Sequence, residues 1–318
     1  MQLDVFNGDA DGICAPLQLR LAAPLPSTLV TGVKRDIELL ANLPVSAGDC
    51  LTVLDISLQK NISAVQQYLA CGAEIFYVDH HQAPSLPQHP QFRALIDTSP
   101  TTCTSLLVNQ YLQGKYALWA VTAAFGDNIT TTALQLAQQL QLRAEEVAAL
   151  KQLGTYLNYN SYGQCLAELH FSPQQVYQTL SAYASPLAFM AAHTELYQQL
   201  QAAYADDMAQ ALALKPYQAQ GNTVVILLPD QAWARRVSGV LGNALANAAP
   251  DKAHAILTPL ADAAVQVSVR APLNNLAHAD VLCAQFTSGG GRKGAAGINY
   301  LPAADIASFI QRFNATYH

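Results

Sequence analysis

Glu74-Ile75-Phe76-Tyr77-Val78, followed at once by Asp79-His80-His81, is the stretch whose reading decides the fold. The first five residues, dominated by β-branched and aromatic side chains, read as a buried strand. A carboxylate and two imidazoles at the end of such a strand are costly to desolvate unless a cation is bound among them. The arrangement recurs upstream. Asn7-Gly8-Asp9-Ala10-Asp11-Gly12 follows the apolar run 3–6, and Asp55 closes the run 51–55. Further strand-like runs lie at 28–32 and 92–96, and helical patterns at 12–22 and 57–70, the latter with Ser57 as its N-cap. Strands alternating with helices predict an α/β fold, a doubly wound, mainly parallel sheet with helices on both faces. Ligands of such sheets bind beyond the carboxyl ends of the strands. Asp9, Asp11, Asp55, Asp79 and His80 all fall at those ends, so residues distant in sequence converge on one crevice.

The remainder of the chain sets the domain organisation. From 102 to 207 the pattern is helical and rich in Ala, Leu and Gln, and Asp127 sits in a break between two helices at Phe125-Gly126-Asp127-Asn128. The texture changes near Lys215-Pro216. A strand at 223–228, a helix at 237–248 and a strand pair at 255–260 and 264–270 predict a smaller C-terminal α/β domain. The expected division is a catalytic domain over 1–185, a helical linker over 186–214 and a substrate-binding domain over 215–318.

The 318 residues carry a net charge of -6, which argues against a basic stripe for long duplex DNA. No run approaches the roughly 20 apolar residues of a membrane span, and the N-terminus lacks a signal-peptide pattern. The six cysteines are scattered without a CxxC pair, and are expected to be reduced, mostly buried thiols of a cytoplasmic protein. No GxSxG elbow and no GxxxxGK[ST] loop is present. His89, His170, His193, His254 and His278 lack ligand-spaced partners and read as structural or exposed.

Several aspartates and a histidine gathered in one crevice repel and desolvate one another without a metal. Carboxylates mixed with imidazole suit Mn²⁺, and Mg²⁺ where carboxylates dominate. Two ions about 3.5–4 Å apart clamp a phosphoryl group and activate water between them. The order DxD, isolated Asp, Asp-His-His, isolated Asp and a C-terminal GGGxxxAAG resembles the DHH/DHHA1 phosphoesterase superfamily over nearly the whole chain. That group includes RecJ-type exonucleases, nanoRNases, cyclic-dinucleotide phosphodiesterases, family II pyrophosphatases and exopolyphosphatases. The resemblance implies Asp9, Asp11, Asp55, His80 and Asp127 as metal ligands, with Asp55 bridging two Mn²⁺ or Mg²⁺ ions. It implies His81 at the scissile phosphate or its leaving group, and Asp79 orienting an imidazole from behind. One departure stands out. Many relatives carry His four residues before the first motif aspartate, where this chain has Val5, which leaves one metal site poorer. Asn7 is open to two readings, a ligand through its amide oxygen or a turn residue.

In the second domain, Gly289-Gly290-Gly291 exposes backbone N–H groups suited to an anion, and the resemblance makes this the substrate-binding loop. Relatives commonly have His directly after the three glycines, whereas this chain has Arg292-Lys293, a phosphate fork that also stacks on bases. Arg270 closes the run 264–270 as a phosphate contact or a plain strand end, and one of Arg235 and Arg236 is a further contact. The expectation is a metal-dependent hydrolase of a small nucleotide, cyclic dinucleotide or short oligonucleotide, with a homodimer as an allowed state. The rivals are a pyrophosphatase or exopolyphosphatase, and a nucleotide-binding module with weakened catalysis.

Overall fold

The computed structural model describes residues 1–318, the side chain of Ala261 apart. The chain divides into two compact units, Met1–Gln201 and Ala202–His318. The first unit is built on five parallel strands, β1 (Gln2–Phe6), β2 (Thr28–Thr31), β3 (Cys50–Leu54), β4 (Glu74–Asp79) and β5 (Phe92–Ile96), in the order β2-β1-β3-β4-β5. Helices α1 (Ala10–Ala22) and α2 (Leu58–Ala70) make the first crossovers, and α3 (Thr104–Tyr111), α4 (Ala117–Gly126), α5 (Thr130–Gln139), α6 (Ala144–Tyr159), α7 (Pro173–Leu180) and α8 (Pro186–Ala191) follow. Helix α9 (Glu195–Leu212) carries the chain across the division.

Register explains why these strands pair as they do. Leu3, Leu51, Ile75 and Phe92 stand side by side across β1, β3, β4 and β5, and Val5, Val53, Tyr77 and Ala94 form the next row. Both rows belong to one apolar cluster closed by Leu58, Val65, Tyr68 and Leu69 of α2, spaced to share one helix face. Each buried Leu, Val or Tyr there contributes about 1.5–3 kcal/mol of transfer free energy. A one-residue slip would turn both rows to the other face, so the register is strongly specified. Ser57 precedes α2 but makes no side-chain cap, contrary to expectation. Asn61 instead donates to the Ser57 carbonyl at 2.9 Å and to Ile37 at 2.7 Å, tying the helix to the segment after β2.

The opposite face of the sheet carries a charge. Asp4, fully buried, stands beside Thr52 and takes a two-pronged hydrogen bond from Arg20 of α1, one prong at 2.8 Å from Nε. Ser27 donates to the same carboxylate at 2.6 Å, and Thr52 Oγ1 accepts from Arg20 at 3.3 Å. This pair pins α1 across β1, which aims the N-terminus of α1 at the end of the sheet. Strand order reverses between β1 and β3, the position at which sheets of this kind bind ligands beyond the strands' carboxyl ends.

The second unit holds a six-stranded sheet in the order β10-β11-β9-β8-β7-β6. Its strands are β6 (Gln218–Gln220), β7 (Thr223–Leu227), β8 (Ala253–Pro259), β9 (Ala264–Arg270), β10 (Gly289–Arg292) and β11 (Ala295–Pro302). Only β7 and β8 pair in parallel. Helix α10 (Ala232–Ala248) starts five residues before the expected 237, because the Ala-Trp-Ala-Arg-Arg stretch is itself helix-forming and buries Ala234 and Arg235. Helices α11 (Ala279–Cys283) and α12 (Ile306–Thr316) complete the unit. A run of ring contacts, Phe286, Phe309, Phe313 and Tyr317, anchors α12.

Among the described residues, no helix is long and apolar enough to cross a membrane. All six cysteines are free, but only Cys14, Cys103 and Cys283 are buried, so the expectation of mostly buried thiols is corrected at Cys50, Cys71 and Cys165.

Replacing Asp4 with Asn keeps the shape but strands the Arg20 guanidinium in a site only 15 % exposed. The expected cost is roughly 3 kcal/mol, the low end for a broken buried pair. It is read as a fall in the urea midpoint at constant slope. Replacing Arg20 with Met as well should recover part of that loss. A single-variant cost below about 0.5 kcal/mol, the scale of an exposed pair, would contradict this role.

Candidate metal centre

Each acidic side chain of the crevice is placed by a local structural requirement. Asp9 is the N-cap of α1, with extended backbone angles and its Oδ1 accepting from Gly12 N–H at 2.9 Å. Gly12 is required by close approach: a Cβ there would meet the Asn7 carbonyl oxygen at 2.2 Å. Asn7 braces this turn, its Oδ1 accepting from Asp9 N–H at 3.2 Å and its Nδ2 donating to the Lys34 carbonyl at 3.1 Å. Its amide is thereby engaged as a turn residue's would be.

Asp11, in the first turn of α1, caps a different helix. Cys103 at the N-cap of α3 offers no side-chain acceptor, and Asp11 accepts instead from Thr104 N–H at 2.8 Å and Ser105 N–H at 2.7 Å. A carboxylate at that position also meets the positive end of the α3 dipole. Asp55 follows β3 in the left-handed region, φ 59°, a conformation that Asp and Asn tolerate better than most residues. Asp127 caps the C-terminus of α4. The chain can bring it to α1 because Gly126 has no Cβ: one built there would meet the Ala10 Cβ at 2.4 Å and the Gly154 carbonyl oxygen at 3.0 Å.

His80 completes the cluster. Its Nδ1 lies 3.1 Å from the Thr102 carbonyl. A carbonyl can only accept, so Nδ1 carries a proton and Nε2 is turned inward. Nε2 faces Asp55 Oδ1 at 3.4 Å, Asp127 Oδ2 at 3.5 Å and Asp11 Oδ2 at 3.9 Å. Donors each about 2.1 Å from one shared ion lie roughly 3–4 Å apart, the spacing of His80 Nε2 from each of the three carboxylates. Among the described residues, Asp11, His80 and Asp127 form one group that could hold a divalent cation, and Asp55, His80 and His81 form a second that shares His80. The backbone carbonyl behind the imidazole is the outer partner that metal-ligating histidines use.

Electrostatics point the same way. Burial, with Asp9 and Asp11 nearby, pushes the Asp55 carboxyl well above the usual carboxylate range. Burial and the charge of Asp127 raise Asp11 as well. Burial would also raise Asp9, but the Lys34 ammonium and the Gly12 N–H outweigh it and hold Asp9 below its ordinary value. Three buried carboxyls thus fall into two classes. Asp11 and Asp55 want positive charge, and Asp9 already has it.

His81 is on the rim, its side chain 47 % exposed, with Nδ1 held by Asp79 Oδ1 at 2.7 Å. The same oxygen accepts from the backbone N–H of His80 and His81, so Asp79 shapes the turn and orients the ring together. Desolvation pulls the His81 pKa down, but the hydrogen bond and charge of Asp79 prevail and raise it overall. His81 Nδ1 is 3.9 Å from Asp55 Oδ1, which sets the ring beside the carboxylate cluster.

The residue that the motif reading did not single out is Lys34. Its Nζ bonds Asp9 Oδ2, lies 3.3 Å from Asn158 Oδ1 and faces Asp127 Oδ1 at 3.8 Å. Lys34 follows β2 within three residues, at the same end of the sheet as the aspartates.

Arg270, Arg292, Lys293 and the glycines belong to the second unit. Gly289-Gly290-Gly291 lies in strand β10 at the edge of the second sheet, hydrogen-bonded to β11, and is a strand in place of the expected loop. Gly289 and Gly291 are required by packing, whereas a Cβ on Gly290 would meet nothing within 4 Å. A Cβ on Gly289 would meet the Cys283 carbonyl oxygen at 1.8 Å, and Gly291, at φ 141°, would drive one into Ala296. Arg292 and Lys293 are exposed at the hairpin tip. Arg270 Nε donates to Asn243 at 2.8 Å and Nη1 to Ser268 at 2.9 Å. Arg235 pairs with Asp230 and Arg236 with Asp207.

No protein-family model matches the sequence, and no curated protein matches it. Solved structures do. RecJ from Thermus thermophilus in complex with Mn²⁺ superposes with a TM-score of 0.64 at 16 % identity, covering 99 % of this chain and 52 % of that one. The chain thus spans about half the length of that RecJ, which is also solved with Mg²⁺. The DHH domain of a member of a ribosomal-protein family gives 0.62 at 14 % identity, covering 99 % and 86 %. The pGpG-specific phosphodiesterase PggH from Vibrio cholerae gives 0.53 at 12 % identity, covering 99 % of each chain. The protein shares the fold of these structures, RecJ and a DHH domain among them, mixed α/β with a parallel first sheet and a second, separate sheet.

Raised carboxyl pKa values in the fold mean that the metal-free protein binds protons more readily there than the unfolded chain does. The contribution of Asp11 and Asp55 to stability therefore declines as pH rises from the ordinary carboxylate range, near ~4, through their raised folded values. The opposite holds for Asp9, whose contribution is lost only as pH falls through its depressed value. A divalent cation competes with the protons of Asp11 and Asp55, so its effect should grow with pH. Mn²⁺ at a hundredfold excess over its dissociation constant should add about 2.7 kcal/mol at pH 8, and distinctly less at pH 5.5, by differential scanning fluorimetry against EDTA-treated protein. Asp55→Asn, which suits the same backbone angles, should raise the Tm of the metal-free protein at pH 8 and abolish the Mn²⁺ gain. An equal Mn²⁺ gain at both pH values, or a gain that survives in Asp55→Asn, would contradict the site.

Proposed function

We propose that the protein is a divalent-metal-dependent phosphoesterase acting on a small nucleotide or short oligonucleotide. The observation that carries this reading is the inward-facing His80 Nε2 within 3.9 Å of Asp11, Asp55 and Asp127, at the carboxyl end of a parallel sheet. These four residues would hold the cation, Mn²⁺ being the ion their mixed donor set suits best. When bound, such an ion supplies Lewis acidity that polarises a phosphoryl oxygen and lowers the pKa of water.

The protein's own residues supply the rest. Asp79 holds the His81 ring by Nδ1, which leaves Nε2 on the exposed side of the ring as a proton donor to a leaving oxygen. Thr104 Oγ1, 3.4 Å from Asp55 Oδ1, and the α3 N–H groups on Asp11 fix the carboxylates in advance, so little reorganisation accompanies the reaction. In the second unit, Arg292 and Lys293 at the exposed hairpin tip are suited to a distal phosphate, Arg292 as a planar fork. The net charge of -6 supports a short substrate over long nucleic acid. RecJ and PggH, an exonuclease and a pGpG phosphodiesterase by name, are neighbours in fold whose names accord with ester-bond chemistry on nucleotides.

The test is hydrolysis with Mn²⁺ across pApA, cyclic dinucleotides, short oligoribonucleotides, 3',5'-bisphosphate nucleotides, pyrophosphate and polyphosphate. Nucleotide esters should turn over and inorganic phosphoanhydrides should not. Asp127→Ala should abolish the Mn²⁺-dependent rate. His81→Gln should lower kcat about 10²–10⁴-fold, the usual yield of a general acid, while Arg292→Ala should raise KM above all. Turnover confined to pyrophosphate or polyphosphate, or no Mn²⁺-dependent turnover of any substrate, would refute the proposal.

A further inference from the structure

A two-ion centre needs a second set of donors beside Asp11, His80 and Asp127. The neighbouring triplet of Asp55, His80 and His81 shares His80, whose single inward lone pair at Nε2 serves one ion, and its His81 Nδ1 is held by Asp79, so the remaining acidic side chain of the crevice is Asp9. The surroundings of Asp9 do not fit another divalent cation. Val5, four residues upstream, is fully buried in the apolar rows with Leu51 and Val53 and brings no donor. Asn7, the nearest amide, is engaged by Asp9 N–H and by the Lys34 carbonyl. The space beside Asp9 Oδ2 is taken by a positive charge of the protein itself, Lys34 Nζ, which also bonds Asn158 Oδ1 and faces Asp127 Oδ1.

We infer that the centre is mononuclear, with the Lys34 ammonium standing as its second, built-in cation. The inference rests on the proposed metal-dependent activity and specifies the charge arrangement that serves it.

Lys34 is held for that role along its whole length. Its backbone N–H donates to the Ser161 carbonyl at 3.0 Å, and its carbonyl accepts from Asn7 Nδ2. Two residues on, Asp36 Oδ2 accepts from Val33 N–H at 2.9 Å and closes the turn. The preceding Gly32 carbonyl is packed so closely on Gly8 that a Cβ there would meet it at 2.0 Å. The Tyr162 ring lies 5.6 Å from Nζ, a cation–π distance. A lysine serving only the surface would have none of these restraints, and this one keeps just 27 % of its side chain exposed. Asp9 and Asn158 take two of the three ammonium donors among the described residues, and the third is left for a phosphoryl oxygen. Lys34 thus stabilises charge where a second metal otherwise would, with a charge that cannot dissociate under chelation.

The experiment counts Mn²⁺ on the whole chain by native mass spectrometry and reads its coupling by electron paramagnetic resonance. The wild-type protein should bind one Mn²⁺ per chain, with the spectrum of an isolated ion, up to millimolar Mn²⁺. Lys34→Ala should take up a second Mn²⁺ in the millimolar range, with exchange coupling between the ions, because Asp9 Oδ2 and the outer oxygen of Asp127 then lose the charge of Lys34. Lys34→Arg, which keeps the charge, should remain at one ion, and its folding under the same conditions controls for a structural effect at position 34. Two coupled Mn²⁺ ions in the wild-type protein, or one ion in Lys34→Ala, would overturn the inference and leave the phosphoesterase reading standing. No bound Mn²⁺ in any variant would overturn both.

Discussion

The repulsion among buried carboxylates at one end of the first sheet is the constraint on which the rest of this structure depends. Asp9, Asp11, Asp55 and Asp127 converge in a space largely closed to water, where each ionised group raises the cost of the next. The fold meets the cost in three ways. Two backbone N–H groups at the start of α3 receive Asp11, the Lys34 ammonium receives Asp9, and the inward nitrogen of His80 leaves a place for a cation among the others. Each compensation comes from a segment far away in sequence, so the loops that carry them are held by the site as much as they hold it.

The same logic explains features that would otherwise look like local defects. Asp55 sits in a left-handed conformation, Gly126 and Gly12 are pressed against neighbouring backbone or side chains, and Asp4 is a buried carboxylate inside a strand. The first points a carboxylate back across the sheet, the glycines let α4 and the Asn7 turn close on α1, and the Asp4–Arg20 pair sets the direction of α1. Strain and desolvation of this kind accumulate where a fold is shaped for a ligand, at the expense of stability. The second unit shows the contrary habit. Its sheet is apolar across Ala255, Leu257, Val267 and Val269, and close packing accounts for Gly289 and Gly291 in its edge strand.

Much of this was legible in the sequence because the signals were local. Apolar runs ending in Asp or His placed the strands and their carboxyl ends, and the parallel sheet then brought Asp9, Asp11, Asp55 and His80 together without further information. Asp127 was legible as a helix break, though the Gly126–Ala10 contact that brings it home is tertiary. Lys34 was missed because the motif pattern directs attention to ligands, and a lysine is not one. Its importance comes from Asn158 and Ser161, more than a hundred residues away, which a strand-end reading cannot supply. The strand form of the glycine run was illegible for a related reason. Three glycines leave open whether the backbone is free or crowded, and only the Cys283 carbonyl pressed on Gly289 shows that it is crowded.

Anomalous diffraction from crystals grown with Mn²⁺, collected at the manganese edge, tests the central claim most directly. One strong peak per chain is expected, bounded by Asp11, Asp55, His80 and Asp127, with the Lys34 ammonium still on Asp9. A peak between Asp9 and Asp55 with Lys34 displaced, or no peak within reach of His80 Nε2, would contradict it.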